Sequence, residues 1–557
     1  MRFILRHSDK VPDWVARFTA SLSVIGVLTG TLFFAASLTP SLLPRTYLMQ
    51  AFLSGLSLSA GYGVGVFVSW LWAYVGLPSP PARIQRYLLY AASIVCVLVA
   101  FTFLWQASGW QNTVREIMEL EPVDTAHLLR VGGIAFVIFL LLLGTARLFH
   151  LLFRFSALRF GRFIPDHVAN VAGALVAIAV FWSVIDGVLF RYLLRVSDTA
   201  YAQVDAWVEP EQMRPHDPMQ TGSLTSLIDW ESLGRRGRSF VVGGPSVEDI
   251  SDFHGNDSVL KPIRVYVGLN SADTIEERAE LALAELKRVG AFDRSVLILA
   301  TPTGTGWLDP SAMDPVEYLH RGDIATVAVQ YSYLPSWLSL LAEPEFGADT
   351  ARAVFLEVYG YWTSLPRDER PQLYLHGLSL GAMNSDLAAD LYDIIGDPFS
   401  GALWSGPPFR SSTWRTVTDM RRPDSPAWLP RFRDGSIIRF TNQDNHLELP
   451  GAAWGPIRIV FLQYASDPIT FFETESFYRQ PAWMEEPRGP DVASELRWYP
   501  VVTMLQLAVD MAAADTTPMG YGHVYAPEHY IDAWVEVTDP PGWTAADTAR
   551  LKARFAR

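Results

Sequence analysis

The chain has 557 residues, half of them apolar, with only 18% charged and a formal net charge of −14. That length exceeds one ordinary domain, that apolar share exceeds an ordinary soluble protein, and the acidic balance argues against nucleic acid as a partner. The single cysteine, Cys96, excludes an intramolecular disulfide and a cysteine-based zinc site, and no motif asks for a metal or other cofactor.

A basic tail over 1–17, with Arg2, Arg6, Lys10 and Arg17, precedes five apolar stretches at 18–38, 48–77, 87–108, 128–153 and 167–189. Each is long enough to cross a bilayer as a helix, so 18–193 is read as a transmembrane helical bundle of about five spans. A cleaved signal peptide does not fit a first stretch of this length followed by four more. The second loop carries Arg83 and Arg86, and the fourth carries Arg154, Arg159 and Arg162. The first has only Arg45, and the third sets Arg115 against Glu116, Glu119, Glu121 and Asp124. Lys and Arg stay on the cytoplasmic side. The N-terminus is therefore expected inside, and everything beyond a fifth span outside. This orientation needs an odd span count, and Arg191 and Arg195 run against it. Asp186 is the main ionisable group within a span, which favours an anchor over an ion pathway. Gly and Ser recur from Gly55 to Gly65 and suit close helix packing.

Residues 194–235 are polar and aperiodic, a juxtamembrane connector. Over 236–557 the pattern alternates. Strands are expected at 263–267, 295–300, 324–330, 372–376, 401–404, 437–441 and 457–463. Helices are expected at 274–289, 314–320, 348–364, 382–394, 501–513 and 527–537. Such alternation predicts a mostly parallel sheet with helices on both faces and a site beyond the carboxyl ends of the strands.

The most informative motif is Gly377-Leu378-Ser379-Leu380-Gly381, after a short apolar strand and before a helix. This is the context of a nucleophile elbow, where the glycines clear the turn and the hydroxyl of Ser379 stands free of the sheet. The N–H of Leu380 then faces a developing oxyanion. Serine needs a base, and the base an orienting acid. Asp467 closes the strand 457–463 in Ser466-Asp467-Pro468. An Asx turn or helix cap before proline is the plainer reading of that residue, and Asp444 is its rival as the acid. His523 lies in the glycine-flanked loop Gly520-Tyr521-Gly522-His523 and is the expected base, ahead of His529, His446 and His376. The second oxyanion donor is expected from Thr301–Trp307, at Gly304 or Thr305. That loop lacks the lysine of a phosphate-binding loop.

Taken together, the five spans, Thr39–Arg45, Thr301–Trp307, Gln330–Trp337, Gly377–Gly381, Trp404–Phe409, Ser466–Pro468 and Gly522-His523 resemble a bacterial family of membrane-anchored α/β-hydrolase-like proteins. The resemblance covers nearly the whole chain. It implies an α/β-hydrolase fold and a serine hydrolase or acyltransferase site in a bacterial protein, and the charge pattern above then sets the catalytic domain outside the cytoplasmic membrane. Substrates expected from that location are lipids or acylated envelope components, cleaved or transferred through an acyl-enzyme. A peptidase using the same triad, or a non-catalytic binding or scaffold protein, are the alternatives. The apolar stretches 337–341 and Phe471-Phe472 are candidates for an acyl site or membrane contact, with core packing the plainer reading. Oligomeric state is not encoded in any motif.

Overall fold

The structure, a computed structural model, describes residues 13–190, 205, 212–255, 258–334 and 345–556. The tail to residue 12, Arg191, Arg195 and the apolar stretch 337–341 lie outside them. The chain divides into two units. The first is Met1–Ser183 with Phe472–Met484 and Asp491–Ala514; the second is Val184–Phe471 with Glu485–Pro490 and Asp515–Arg557. Two segments of the first unit thus fall inside 236–557, the range assigned from sequence to the soluble domain.

The first unit contains α1 (Asp13–Ala20), α2 (Val24–Ser37), α3 (Tyr47–Tyr74), α4 (Ala82–Ile117), α5 (Leu128–Phe160) and α6 (Asp166–Trp182). Among the described residues four helices are long and apolar enough to cross a bilayer: α3, α4, α5 and the stretch Asp166–Gly187 that contains α6. The expected count of five is corrected by this. The apolar run 18–38 is not one helix, because α1 ends at Ala20 and Ser23 Oγ accepts the Gly26 N–H at 3.1 Å to cap a new start. The 14 residues of α2 rise about 21 Å, short of the ~30 Å hydrocarbon core.

Small residues bring α2 and α3 together. A Cβ on Gly61 would come 2.7 Å from Thr29 O, and Thr29 Oγ1 donates to Gly61 O at 2.7 Å. This is how small residues let membrane helices approach. Between these helices Thr39, Ser41, Leu42, Leu43 and Arg45 are all buried. Their polar groups are met by the helix Val502–Met511, which packs on α2 and α3. Gln506 Nε2 donates to Thr39 O at 3.1 Å, and Leu42 N–H donates to Asp510 Oδ2 at 3.1 Å. The four-residue spacing of Gln506 and Asp510 puts both on one face of that helix.

Among its described residues the second unit has seven strands: β1 (Ile263–Val267), β2 (Val296–Thr301), β3 (Ile324–Val329), β4 (Gln372–Leu378), β5 (Gly401–Ser405), β6 (Ile438–Thr441) and β7 (Arg458–Leu462). All neighbours are parallel, in the order β1-β3-β2-β4-β5-β7-β6. The central strands are apolar and buried on both faces, as helix-covered parallel strands must be. From β2 the chain moves outward to β3, then crosses back to β4 on the other side. The order in which strands are added thus reverses between the parallel strands β2 and β4, the place where open parallel sheets leave a crevice beyond their carboxyl ends. The two loops bordering it are Thr301–Trp307 and the turn at Ser379.

Candidate active site

Ser379 follows β4 directly and precedes the helix Leu380–Asp386. Its backbone sits at φ 58° and ψ −126°, outside the regions L-residues ordinarily occupy. Two hydrogen bonds hold it there: Ser379 N–H to Ser405 O at 3.0 Å, and Met383 N–H to Ser379 O at 3.2 Å. The flanking glycines are needed for space. A Cβ on Gly377 would run into the backbone of Gly381, and one on Gly381 into the carbonyl of Thr301. The strand-to-helix turn is therefore sharp, and its serine is nearly buried.

Asp467 lies beyond the carboxyl end of β7 and is completely buried. Its carboxylate accepts four side-chain or backbone donors. His523 Nδ1 lies 2.7 Å and Tyr525 Oη 2.8 Å from the same oxygen, Oδ2. Ile469 N–H reaches Oδ1 at 2.8 Å, and Thr470 Oγ1 lies 3.3 Å from Oδ2. The bond from Ile469 also makes Asp467 the cap of the short helix Pro468–Phe471, the plainer of the two sequence readings, while the same carboxylate holds His523. Asp444, its rival, is exposed.

The His523 loop is pinned beside the acid. Gly522 N–H donates to Ser466 Oγ at 2.9 Å, and Gly520 N–H to Val524 O at 2.8 Å. Both glycines have positive φ, which the tight turn demands. Gly406, next after Ser405, lies under the imidazole: a Cβ there would come 2.6 Å from His523 Cε1. The Ser405–Gly406 corner thus supports the backbone of Ser379 on one side and the His523 ring on the other. With Nδ1 committed to Asp467, the buried Nε2 of His523 makes no hydrogen bond among the described residues. Burial alone would pull the imidazole pKa down, but the Asp467 carboxylate outweighs it and holds the pKa above its ordinary value.

The other histidines are placed elsewhere. His376 is buried under Tyr530 and Trp534, with Nδ1 2.8 Å from Leu403 O, and burial lowers its pKa to about 4. His529 Nδ1 lies 2.6 Å from the Tyr464 hydroxyl. His446 is half-buried beside β6. Phe471 and Phe472 are buried, and Phe471 packs edge-on against Trp414; neither offers an exposed face to a bilayer.

The loop after β2 lies against the elbow, since Thr301 and Pro302 are the neighbours of Gly381. Gly306 N–H donates to Thr303 O and Thr303 N–H to Trp307 O, both at 2.9 Å, which places Gly304 and Thr305 at the tip of a turn. Tyr266 fixes that turn by donating to Gly306 O at 2.8 Å. Among the described residues no cluster of His, Cys, Asp and Glu is arranged to hold a metal ion.

Two residues of this site were not legible as such. Tyr525, the second side-chain donor to Asp467 Oδ2, stands two positions after His523. That spacing is a weak signal, because it reaches the acid only through the turn at Gly522. Gly406 has no chemistry of its own and matters only for the room it leaves.

Ser379, Asp467 and His523 follow one another in the chain order in which α/β-hydrolases carry their serine, acid and histidine. A family model described as "Alpha/beta-hydrolase family" matches residues 263–551, and one described as "Alpha/beta-hydrolase family N-terminus" matches residues 38–245. No curated protein and no solved structure matches the chain. With just over half of its length matched by the first model and most of the remainder by the second, the chain belongs to this alpha/beta-hydrolase family.

Proposed function

We propose that the chain is a membrane-tethered serine hydrolase that cleaves or transfers an acyl group. Ser379 attacks the acyl carbonyl. His523 Nε2 takes the serine proton and returns it to the leaving group, while Asp467 fixes the tautomer and stabilises the imidazolium. The amides of Leu380 and of the Gly304/Thr305 turn receive the oxyanion. Water then hydrolyses the acyl-enzyme, or a hydroxyl or amine accepts the acyl group and the same site is an acyltransferase. An amide substrate would make it a peptidase. The observation that carries this reading is the 2.7 Å bond between Asp467 and His523, together with a serine held at φ 58° on a glycine-flanked elbow.

We place the catalytic unit outside the cytoplasm. Arg154, Arg159 and Arg162 stand near the turn from α5 to α6, and Arg83 and Arg86 at the start of α4, whereas the acidic loop 116–124 joins α4 to α5. If the basic turns are inside, α6 starts at the cytoplasmic face and ends at the other. This argument rests on α4 to α6 alone; the N-terminus expected inside would need α2 to cross as well. A site fixed at the outer face of a bilayer meets lipids and acylated envelope components first, which supports an acyl ester or lipid substrate.

A fluorophosphonate probe applied to membranes holding the full chain tests the activity. Labelling of wild type that vanishes in Ser379→Ala and falls sharply in His523→Ala is expected. A folded wild type that takes up no label would instead make the second unit a non-catalytic binding module, and the hydrolase reading would be abandoned.

A further inference from the structure

Three buried groups meet beside the elbow, one from each segment that borders it. Asp309 stands two residues beyond the loop Thr301–Trp307, Ser405 ends β5, and Tyr530 lies on the helix Pro527–Thr538 that follows the His523 loop. All three are buried, Ser405 and Tyr530 completely. The Tyr530 hydroxyl lies 2.8 Å from Ser405 Oγ and also hydrogen-bonds the Asp309 carboxylate. Ser405 is the residue whose carbonyl holds the Ser379 N–H, and its Oγ also reaches Gly377 O at 3.3 Å. One turn beyond Tyr530, Trp534 Nε1 donates to Ala312 O at 2.9 Å, so the same helix face grips the start of the helix Pro310–Leu319.

A structural role accounts for only part of Asp309. Its Oδ1 accepts the Ser311 N–H at 2.9 Å and caps the helix Pro310–Leu319. Serine or asparagine would cap as well without a charge, and a buried carboxylate is costly unless a cation meets it. Among the described residues no lysine or arginine pairs with Asp309, and the charged group acting on it from its own helix, Asp314, is another acid. Burial accordingly lifts its pKa to about 6. What the charge faces is the expected base: together with Asp467 and the exposed Asp515, Asp309 favours the charged imidazole of His523. An ionised carboxylate only accepts, so the Tyr530 proton goes to Asp309 and the Ser405 proton to Tyr530. A neutral side chain at 309 with an N–H to give reverses that order and turns the Ser405 proton toward Gly377 O.

We propose that Asp309 is a positioning residue for the acyl-transfer step. Through Tyr530 and Ser405 it holds the corner that carries Ser379 in register with the Thr301–Trp307 loop, and its charge adds to that of Asp467 in stabilising the imidazolium. This rests on Ser379 being the nucleophile and His523 its base. Among the described residues no hydrogen bond joins Asp309 to the ring, whose Nδ1 belongs to Asp467 and whose Nε2 has no partner, so the charge acts across space. The two effects are separable. The link through Tyr530 governs the rate, and the charge governs the pH at which the base becomes available.

The test is the second-order rate of fluorophosphonate labelling of the full chain in phosphatidylcholine nanodiscs, followed from about pH 5 to 9. Asp309→Asn is expected to slow labelling about tenfold on the plateau where the base is neutral, the loss of one charge-assisted hydrogen bond. Its acid limb should move down by about half a unit, because a negative charge near the imidazolium has gone. Tyr530→Phe keeps that charge and is expected to slow labelling with the limb in place. The Asp309→Asn, Tyr530→Phe pair should be no slower than the slower single variant, since both cut one link. Asp309→Ser keeps a cap for the helix and should melt with the wild type while sharing the lowered limb, which separates the effect from a folding defect. An unmoved limb in both Asp309 variants, an undiminished rate in Tyr530→Phe, or multiplied losses in the pair overturns the proposal and leaves the Ser379 reading standing. A folded wild type that takes up no label overturns both.

Discussion

Arg45 and Asp510, from opposite ends of the chain, form an ion pair in which neither side chain is exposed, with Nε 3.4 Å from Oδ1. The guanidinium also donates to Ser37 O at 3.1 Å and Gln50 Oε1 at 2.7 Å, and Asp510 accepts the Leu42 N–H. Removing one member of such a pair strands the other charge in an apolar setting, at about 3–5 kcal/mol. Asp510→Ala should therefore lower the melting temperature of the full chain markedly. Asp510→Asn should do less harm, because it keeps an acceptor for Leu42. An Asp510→Ala protein that melts with the wild type would show that the pair contributes nothing to the fold.

The polypeptide leaves the second unit at Phe471, soon after Asp467, and rejoins it at Asp515, shortly before His523, apart from the brief return at Glu485–Pro490. The connection from Asp467 to His523 is thus largely part of the first unit. A fragment spanning 236–557 contains every strand of the sheet, yet it deprives the helix Val502–Met511 of α2 and α3 and Asp510 of Arg45. That fragment alone should be insoluble or take up no fluorophosphonate, and co-expression with 1–235 should restore labelling. A soluble fragment that labels like the full chain would show the first unit to be dispensable for the site.

Tyr525 shares Asp467 Oδ2 with His523, so its hydroxyl competes for the same lone pairs. In Tyr525→Phe the carboxylate loses a donor and holds the imidazolium more strongly, which raises the His523 pKa further. A general base must be neutral, so kcat/KM falls as pH drops through that pKa. The acid limb should move to higher pH by about half a unit to one unit, in line with the ~1 kcal/mol of one hydrogen bond. Because the folded pKa is already raised, the protonated ring adds stability at low pH that is lost as pH rises through the folded value. A Tyr525→Phe enzyme with reduced kcat but an unmoved limb would reduce the hydroxyl to a packing role.

What could be read ahead of the structure was what local pattern determines. All seven strands lie where β-rich apolar runs predicted them, and the elbow, Asp467 and His523 each stand at a strand end or in a glycine loop of a recognisable kind. Errors arose where a local break or a distant contact decides. The hydropathy of 18–38 hid the cap at Ser23 that divides it. The expected helix 382–394 is interrupted after Asp386 and resumes only as the turn Leu391–Ile394. The helix near 501–513 was foreseen, but not its partners. Its one clue was Gln506 and Asp510, polar groups a turn apart on an otherwise apolar element, and the chain nowhere says which buried carbonyls they meet.

Orientation can be tested with the chain's own scarcity of thiols. Cys96, the one cysteine, is buried and can be replaced by serine. Glu280, on the exposed side of the helix Ile275–Arg288, is a suitable site for a new one. In a Cys96→Ser, Glu280→Cys protein, a membrane-impermeant maleimide should label intact spheroplasts fully and sealed inverted vesicles hardly at all. The reverse pattern would place the second unit in the cytoplasm, and the choice of lipid and envelope substrates would fall with it.

Ser379 holds its place at the tip of the elbow at the cost of backbone strain, because φ 58° with ψ −126° is a conformation suited to glycine. Strain of this kind is on the order of 1–3 kcal/mol and is relieved when the Cβ is removed. Ser379→Gly should therefore melt above both wild type and Ser379→Ala, by roughly 2–4 °C for a domain of this size, while both variants lose probe labelling. Alanine is the necessary comparison, since it removes the hydroxyl but keeps the Cβ. Equal melting of the glycine and alanine variants would mean that the backbone at 379 stores no strain, and the elbow would then owe its shape to the packing of Gly377 and Gly381 alone.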